Sequence, residues 1–161
     1  MSTFVKGGST GTPFGRNEFL RSVRDIKTDS ATIAGSTIPA RTIDGVSGQK
    51  ILQPGTILAK ITSTAEAGKV GPYISGGSAG DGRETITNII GICMTFLPWQ
   101  LIERDVEISY VYEASVSAAW CLEYTSGSLI VPIAVSVATQ KAMQQQATTN
   151  ANNVSLNINW R

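Results

Sequence analysis

Histidine is missing altogether from this 161-residue chain. Its absence removes Ser-His-Asp and Cys-His activation of a nucleophile, the usual imidazole acid-base step and the commonest transition-metal ligand. Charge is also scarce, at 16% of residues, against about a quarter in an average domain. A net charge of +1 excludes the strong uniform field of a chain whose main task is gripping nucleic acid. Thiols are confined to Cys93 and Cys121, far apart and in apolar settings. The opening "MSTFVKGGSTGTPFG" lacks the apolar region of a secretory signal, so these cysteines are expected as buried free thiols ahead of a disulfide. No stretch reaches the ~18 uninterrupted apolar residues of a membrane span, and no repeat of fixed period points to a solenoid or propeller. The expectation is a protein that is not an enzyme, carries no cofactor, and is made and used in the cytoplasm or in something assembled there.

What the chain does have is apolar content of 42%, with Ser, Thr, Asn, Gln and Gly standing in for charge. One domain of this length buries roughly 70% of its extended-chain surface and needs no metal or disulfide staple. A polar surface poor in charge suits a β-rich fold or one covered by partners. The few charges are uneven. Residues 1 to 27 carry Lys6, Arg16, Arg21, Arg24 and Lys27 against Glu18 and Asp25, whereas 103 to 123 carry five acids against Arg104 alone.

The first 15 residues are rich in Gly, Ser and Thr and cannot bury enough apolar area to order alone, so they read as an arm. In "NEFLRSVRDIK", residues 17 to 27, Phe19, Leu20, Val23 and Ile26 fall at spacings of three and four. That spacing fits either a short helix capped by Asn17 or an extended segment that orders on a partner. Gly35, Pro39, Gly45 and Gly48 break residues 31 to 50 into short strands and turns. Pro54-Gly55 fits the centre of a type II turn, followed by alternation over 57 to 61. "ITNIIGICMTFL", residues 86 to 97, fits a strand buried on both sides or a buried helix, and Gly91 with the β-branched content favours the strand. In "DVEISYVYEASVS", Val106, Ile108, Tyr110, Tyr112, Ala114 and Val116 form one face; the other holds Glu107, Ser109, Glu113 and Ser115, interrupted by Val111. An apolar segment broken by Pro132 spans 128 to 137, a short helix is expected over 138 to 147, and a closing strand over 154 to 160.

Candidate chemistry is thin. "GKVGPYISGGSAGDGRET", residues 68 to 85, holds a Gly-Lys pair, but Val70 follows where a phosphate loop needs Ser or Thr, and Ser63 stands where its first glycine would be. Its glycines read as turn residues. Glu107 and Glu113 share the predicted face but lie about 20 Å apart along a strand, too far for paired acid-base work. Asp81 and Glu84, with Arg83 between them, point to a salt-linked surface turn. Trp99, Trp120, Trp160, Tyr110, Tyr112 and Tyr124 lack the interleaved basic residues of a base-stacking platform, which favours core packing or subunit contact.

The order of "GQKILQPGTILAKIT", "GKVGPYISGGSAGDGRET", "NIIGICM" and "DVEISYVYEASVSAAWCLEY" resembles the head decoration, or capsid cement, proteins of tailed bacteriophages, the lambda D-like group. The matching positions are Leu52, Pro54, Gly55, Thr56 and Leu58, then Gly71, Pro72 and Tyr73, then Asp81 and Gly82, then Gly91 and Ile92. They span about residues 45 to 125. The "GQKILQPGTILAKI" portion alone is also similar to biotinyl and lipoyl carriers, but neither Lys60 nor Lys69 has the neighbours of an acceptor lysine. The resemblance to the cement proteins implies a mainly β, β-tulip or barrel-like domain over 31 to 161 with short helices, preceded by a capsid-binding arm over 1 to 30. It implies homotrimers on the three-fold and quasi-three-fold positions of the expanded capsid, on the outer surface of the virion. The partners would be the major capsid protein and further copies of the chain, with no direct nucleic acid and no membrane. The arm would make its contacts through Phe4, Lys6, Phe14, Arg16, Phe19, Arg21 and Arg24; the family's turns would be Pro54, Gly55, Gly71, Pro72, Tyr73, Asp81, Gly82 and Gly91. Removing residues 1 to about 27 would then leave a folded trimer. The alternative is a β-rich adhesin or tail-associated module binding carbohydrate through Trp99 or Trp120.

Overall fold

The computed structural model describes residues 19–43, 45–77, 79–98, 104–125, 132–146 and 156–161. Phe4, Lys6, Phe14, Arg16 and Trp99 lie outside the described residues. The fold is mainly β. Its strands in chain order are β1 (Lys27–Ile33), β2 (Arg41–Ile43), β3 (Val46–Gln49), β4 (Ile57–Lys60), β5 (Val70–Pro72) and β6 (Ile74–Ser75). Then come β7 (Ile89–Cys93), β8 (Val106–Val116), β9 (Leu122–Thr125), β10 (Pro132–Ala134), helix α1 (Val137–Gln146) and β11 (Asn157–Trp160).

Five strands return on themselves. β1 pairs β8 antiparallel over its whole length, β8 pairs β7, β7 pairs β4 and β4 pairs β5. β5 meets β1 again, in parallel, at Ile33 and Val70. The ring of pairings is therefore closed, but by a single residue pair, and β1 from Lys27 to Thr32 has no strand on its outer edge among the described residues. β11 extends it by pairing in parallel with the last four residues of β8. β9 lies between β10 and β6 in a second, three-stranded sheet, and β2 with β3 forms a separate ribbon.

Two apolar layers follow from the alternation of side chains along each ring strand. On one face Ile33, Leu58, Val70, Cys93, Ile108 and Tyr110 form a single cluster. On the other, Ile57, Ala59, Ile92 and Val111 meet Phe19, Met143 and Ile158. α1 contributes through Thr139 and Met143, one turn apart and both buried. Its start is fixed by Ser136, whose Oγ accepts the Thr139 backbone N–H at 3.2 Å.

β8 departs from strict alternation at one place. Thr28 faces Val111 but Lys27 faces Glu113, so Tyr112 is an extra residue, a β-bulge. Before the bulge the even positions face the first cluster, and after it Ala114 and Val116 face the second together with Val111. Val111, which broke the predicted polar face, is a fully buried core residue. Glu107 and Glu113 consequently point to opposite faces rather than sharing one. β7 carries a similar irregularity, since Leu58 faces Gly91 and Ala59 faces Ile89; its five residues are all buried, as the two-sided reading required.

Residues 19 to 26, before β1, form no helix. Leu20 bridges Val116, the Arg21 N–H donates to the Ser115 carbonyl at 2.9 Å, and Ser117 donates to the Phe19 carbonyl at 2.7 Å. Phe19 is 1% exposed, worth about 2 kcal/mol of burial. The arm drawn over 1 to 30 is thus corrected: residues 19 to 30 belong to the folded body, held by the Phe19 side chain and the β1–β8 ladder, and a boundary at residue 30 would cut β1.

Candidate functional site

The four glycines of the resemblance share a property that free turn glycines lack. A Cβ on Gly55 would collide with the Trp120 carbonyl, and one on Gly91 with the Val111 carbonyl and, at 2.7 Å, with Tyr110 Cδ2. One on Gly71 would lie 2.7 Å from Arg83 Cδ, and one on Gly82 against Thr62 Oγ1. Gly45, Gly48, Gly68, Gly76 and Gly80 open onto free space. The first set marks places where backbone meets backbone or side chain too closely for any other residue.

Pro54-Gly55 forms the expected turn, with Thr56 N–H on the Gln53 carbonyl at 3.3 Å and Gly55 at φ +89°. Gly71, Pro72 and Gly91 are corrected from turns to strand residues of β5 and β7; the two glycines serve close approach there rather than a change of direction. Tyr73 follows β5, buried at 3% exposure, and its phenol is raised above its ordinary value chiefly by burial, then by the charge of Glu123. Glu123 itself is 1% exposed, and its Oε2 accepts no hydrogen bond.

Gly71, Pro72, Asp81 and Gly82 converge around Arg83. Arg83 Nε donates to Asp81 Oδ2 at 2.8 Å, and its Nη1 to the carbonyls of Thr37 and Pro72 at 3.2 and 3.3 Å. The Asp81 carbonyl in turn accepts the Thr62 N–H at 2.9 Å. Asp81 and Arg83 are both 8% exposed, so the expected surface salt link is instead a buried clamp joining three loops. Lys69 is engaged by Glu66 and Asp105, which raises it from its ordinary value through hydrogen bonds to Asp105 first and Glu66 second. The Gly-Lys pair is spent on a structural ion pair.

A cleft of about 400 Å³ opens on the polar face beyond the β8 bulge. Its floor is Glu113 and Ser115 of β8. One wall is the segment from Arg21 to Asp25, and the other is Asn157, Asn159 and Arg161 along β11. Register aligns the floor with the β11 wall: Asn157 faces Glu113 and Asn159 faces Ser115. Arg21 and Arg24, expected in the arm, stand here as exposed residues. Asn157, Asn159 and Arg161 are not among the candidate residues that the sequence offers; the signal for them is the alternation of "NINWR", which puts its polar positions on one strand face. Cys93 and Cys121 are free and buried. Among the described residues no group of three or more acidic, cysteine or histidine side chains converges as a metal centre would require. Comparisons with family models, curated proteins and solved structures return no match.

Proposed function

We propose that this chain is a structural virion protein: a decoration protein that binds the outer surface of an expanded phage capsid as a homotrimer and stabilises the shell. The observation that carries the reading is the anchoring of Phe19. It fixes the chain in the core immediately after residues 1 to 18, so an arm formed by that segment is rooted at a point that cannot slide. An arm that adds a strand to a capsid sheet gains affinity from backbone hydrogen bonds and register from alternate side chains. Three such arms on one trimer multiply weak contacts through effective concentration. The shell is then stabilised by mass action, because the cement binds the expanded state in preference to the dissociated one. The ordered run of closely approached glycines, Gly55, Gly71, Gly82 and Gly91, supports the same reading from the side of the fold.

Deletion of residues 1 to 18 tests it. The shortened protein is expected to keep its trimeric mass by light scattering and its denaturation midpoint, and to lose co-sedimentation with empty expanded heads of the cognate phage. Undiminished co-sedimentation would refute the arm. Deletion through residue 27 is expected to unfold the domain, because it removes Phe19 and the Leu20 bridge.

A second reading has one observation in its favour: Trp120 is 42% exposed, as a sugar-stacking indole must be. Saturable glycan binding lost in Trp120→Ala would move the assignment to a carbohydrate-binding module.

A further inference from the structure

The polar cleft beyond the β8 bulge has charge left over. Glu113 on its floor is neutralised by Lys27, whose Nζ lies 2.6 Å from Glu113 Oε2. The ion pairs among the described residues are this one, those of Lys69, and Asp81 with Arg83. None includes Arg21, Arg24 or Arg161, all of which line the cleft, and among its described side chains Asp25 is the one acid outside these pairs. Three arginines against one unpaired acidic side chain leave the lining with an excess of positive charge.

Two of its arginines are fixed at the backbone, and one of these also through its guanidinium. Arg161 is tied by its N–H to the Val116 carbonyl at 2.9 Å, and Arg21 by its N–H to Ser115, with its Nη2 donating to Ser117 Oγ at 3.3 Å. Asp25 holds a left-handed backbone at φ 57°, a turn in the wall that carries Arg24. Along β11 the exposed positions 157, 159 and 161 recur about 6.6 Å apart, the spacing of alternate side chains in an extended chain. Ile158, between them, is buried on the opposite face.

From this geometry we infer that the cleft binds an extended acidic peptide segment of a protein partner. Carboxylates at alternate positions would meet Arg21, Arg24 and Arg161, and the amides of Asn157 and Asn159 would hydrogen-bond between them. Guanidinium suits the task because its planar fork accepts a carboxylate in two parallel hydrogen bonds. The inference does not rest on the capsid assignment, since the site recognises chemistry that any acidic segment carries.

Titration of the full chain with an acetylated, amidated hexapeptide alternating Asp and Ser tests it, followed by amide and Arg side-chain NMR shifts at low ionic strength. Shifts are expected to map to 21 to 25, 113 to 115 and 157 to 161, and affinity to fall steeply with added salt. Arg24→Gln and Arg161→Gln are each expected to weaken binding about fivefold, the scale of one partly exposed charge-assisted contact. Arg24 makes no contact that folding needs, so its variant separates binding from stability. An Asn-Ser hexapeptide should not bind. The inference is overturned if the Asp peptide binds both variants as well as the natural chain, if the shifts map elsewhere, or if inorganic phosphate occupies the cleft while the peptide does not.

Discussion

A glycine can be required by its dihedral angles or by its neighbours, and the two demands respond differently to substitution. Gly91 sits where β7 pairs with β8, at φ +159° and with the Val111 carbonyl and the Tyr110 ring against the place of a Cβ, so both demands fall on it. Gly91→Ala is expected to cost on the order of 2 to 3 kcal/mol, because two strands must separate to admit a methyl group. Gly80 has φ +72° and open space around it. Asparagine visits that conformation readily, so Gly80→Asn is expected within about 0.5 kcal/mol of the natural chain. Urea denaturation of the two variants, with a common slope, checks the contrast. Cysteine gives a further residue-scale test: Cys93 and Cys121 are buried free thiols, and the folded protein should leave both unreactive toward a thiol reagent until denaturant is added.

At the scale of elements the β8 bulge decides which side chains are core. Val111→Ala is expected to lose about 2 to 3 kcal/mol through the cavity it opens. Val23→Ala, at a residue 80% exposed, should change stability by less than about 0.5 kcal/mol. A strand without the bulge would place Val111 on the polar face and make its substitution as mild as that of Val23, so equal midpoints for the two variants would contradict the register. Much of this level was legible in the sequence. β8, the Pro54-Gly55 turn, the helix before the C-terminal strand and that strand itself all follow from periodicity and turn chemistry. The bulge was not legible, because one inserted residue leaves the apolar count unchanged and shows only as a break in alternation at Val111. The fate of residues 19 to 26 was hidden for another reason: spacings of three and four fit a helix as well as a segment whose apolar residues are claimed by a distant strand. The cleft was hidden because its walls come from opposite ends of the chain and meet only through the pairing of β8 with both.

For the whole molecule, buried acids set the alkaline limit of stability. Burial pushes the thiols of Cys93 and Cys121 from an ordinary 9.0 up to about 12. It also raises the phenols of Tyr73, Tyr110 and Tyr124, being the largest cause in each. The unfolded chain gives up these protons first. Between about pH 9 and pH 12 it therefore binds fewer protons than the native state, and stability falls as pH rises. Lys27 and Lys69, raised by their acidic partners, act in the same direction. Urea midpoints are expected to be flat up to about pH 9 and to drop steadily above it; a midpoint that rises over that range would contradict the buried protonated groups.

The closed ring of pairings also sets an order in time. Arg21 reaches Ser117 across 96 positions of sequence, and β1 finds its main partner in β8 rather than in any neighbouring strand. During synthesis the β1 segment must wait, unpaired, until most of the chain has left the ribosome. Contacts so distant in sequence slow the search for the native state, so refolding is expected on the scale of milliseconds to seconds, and the last event in it should be the seam between first strand and longest strand drawing shut.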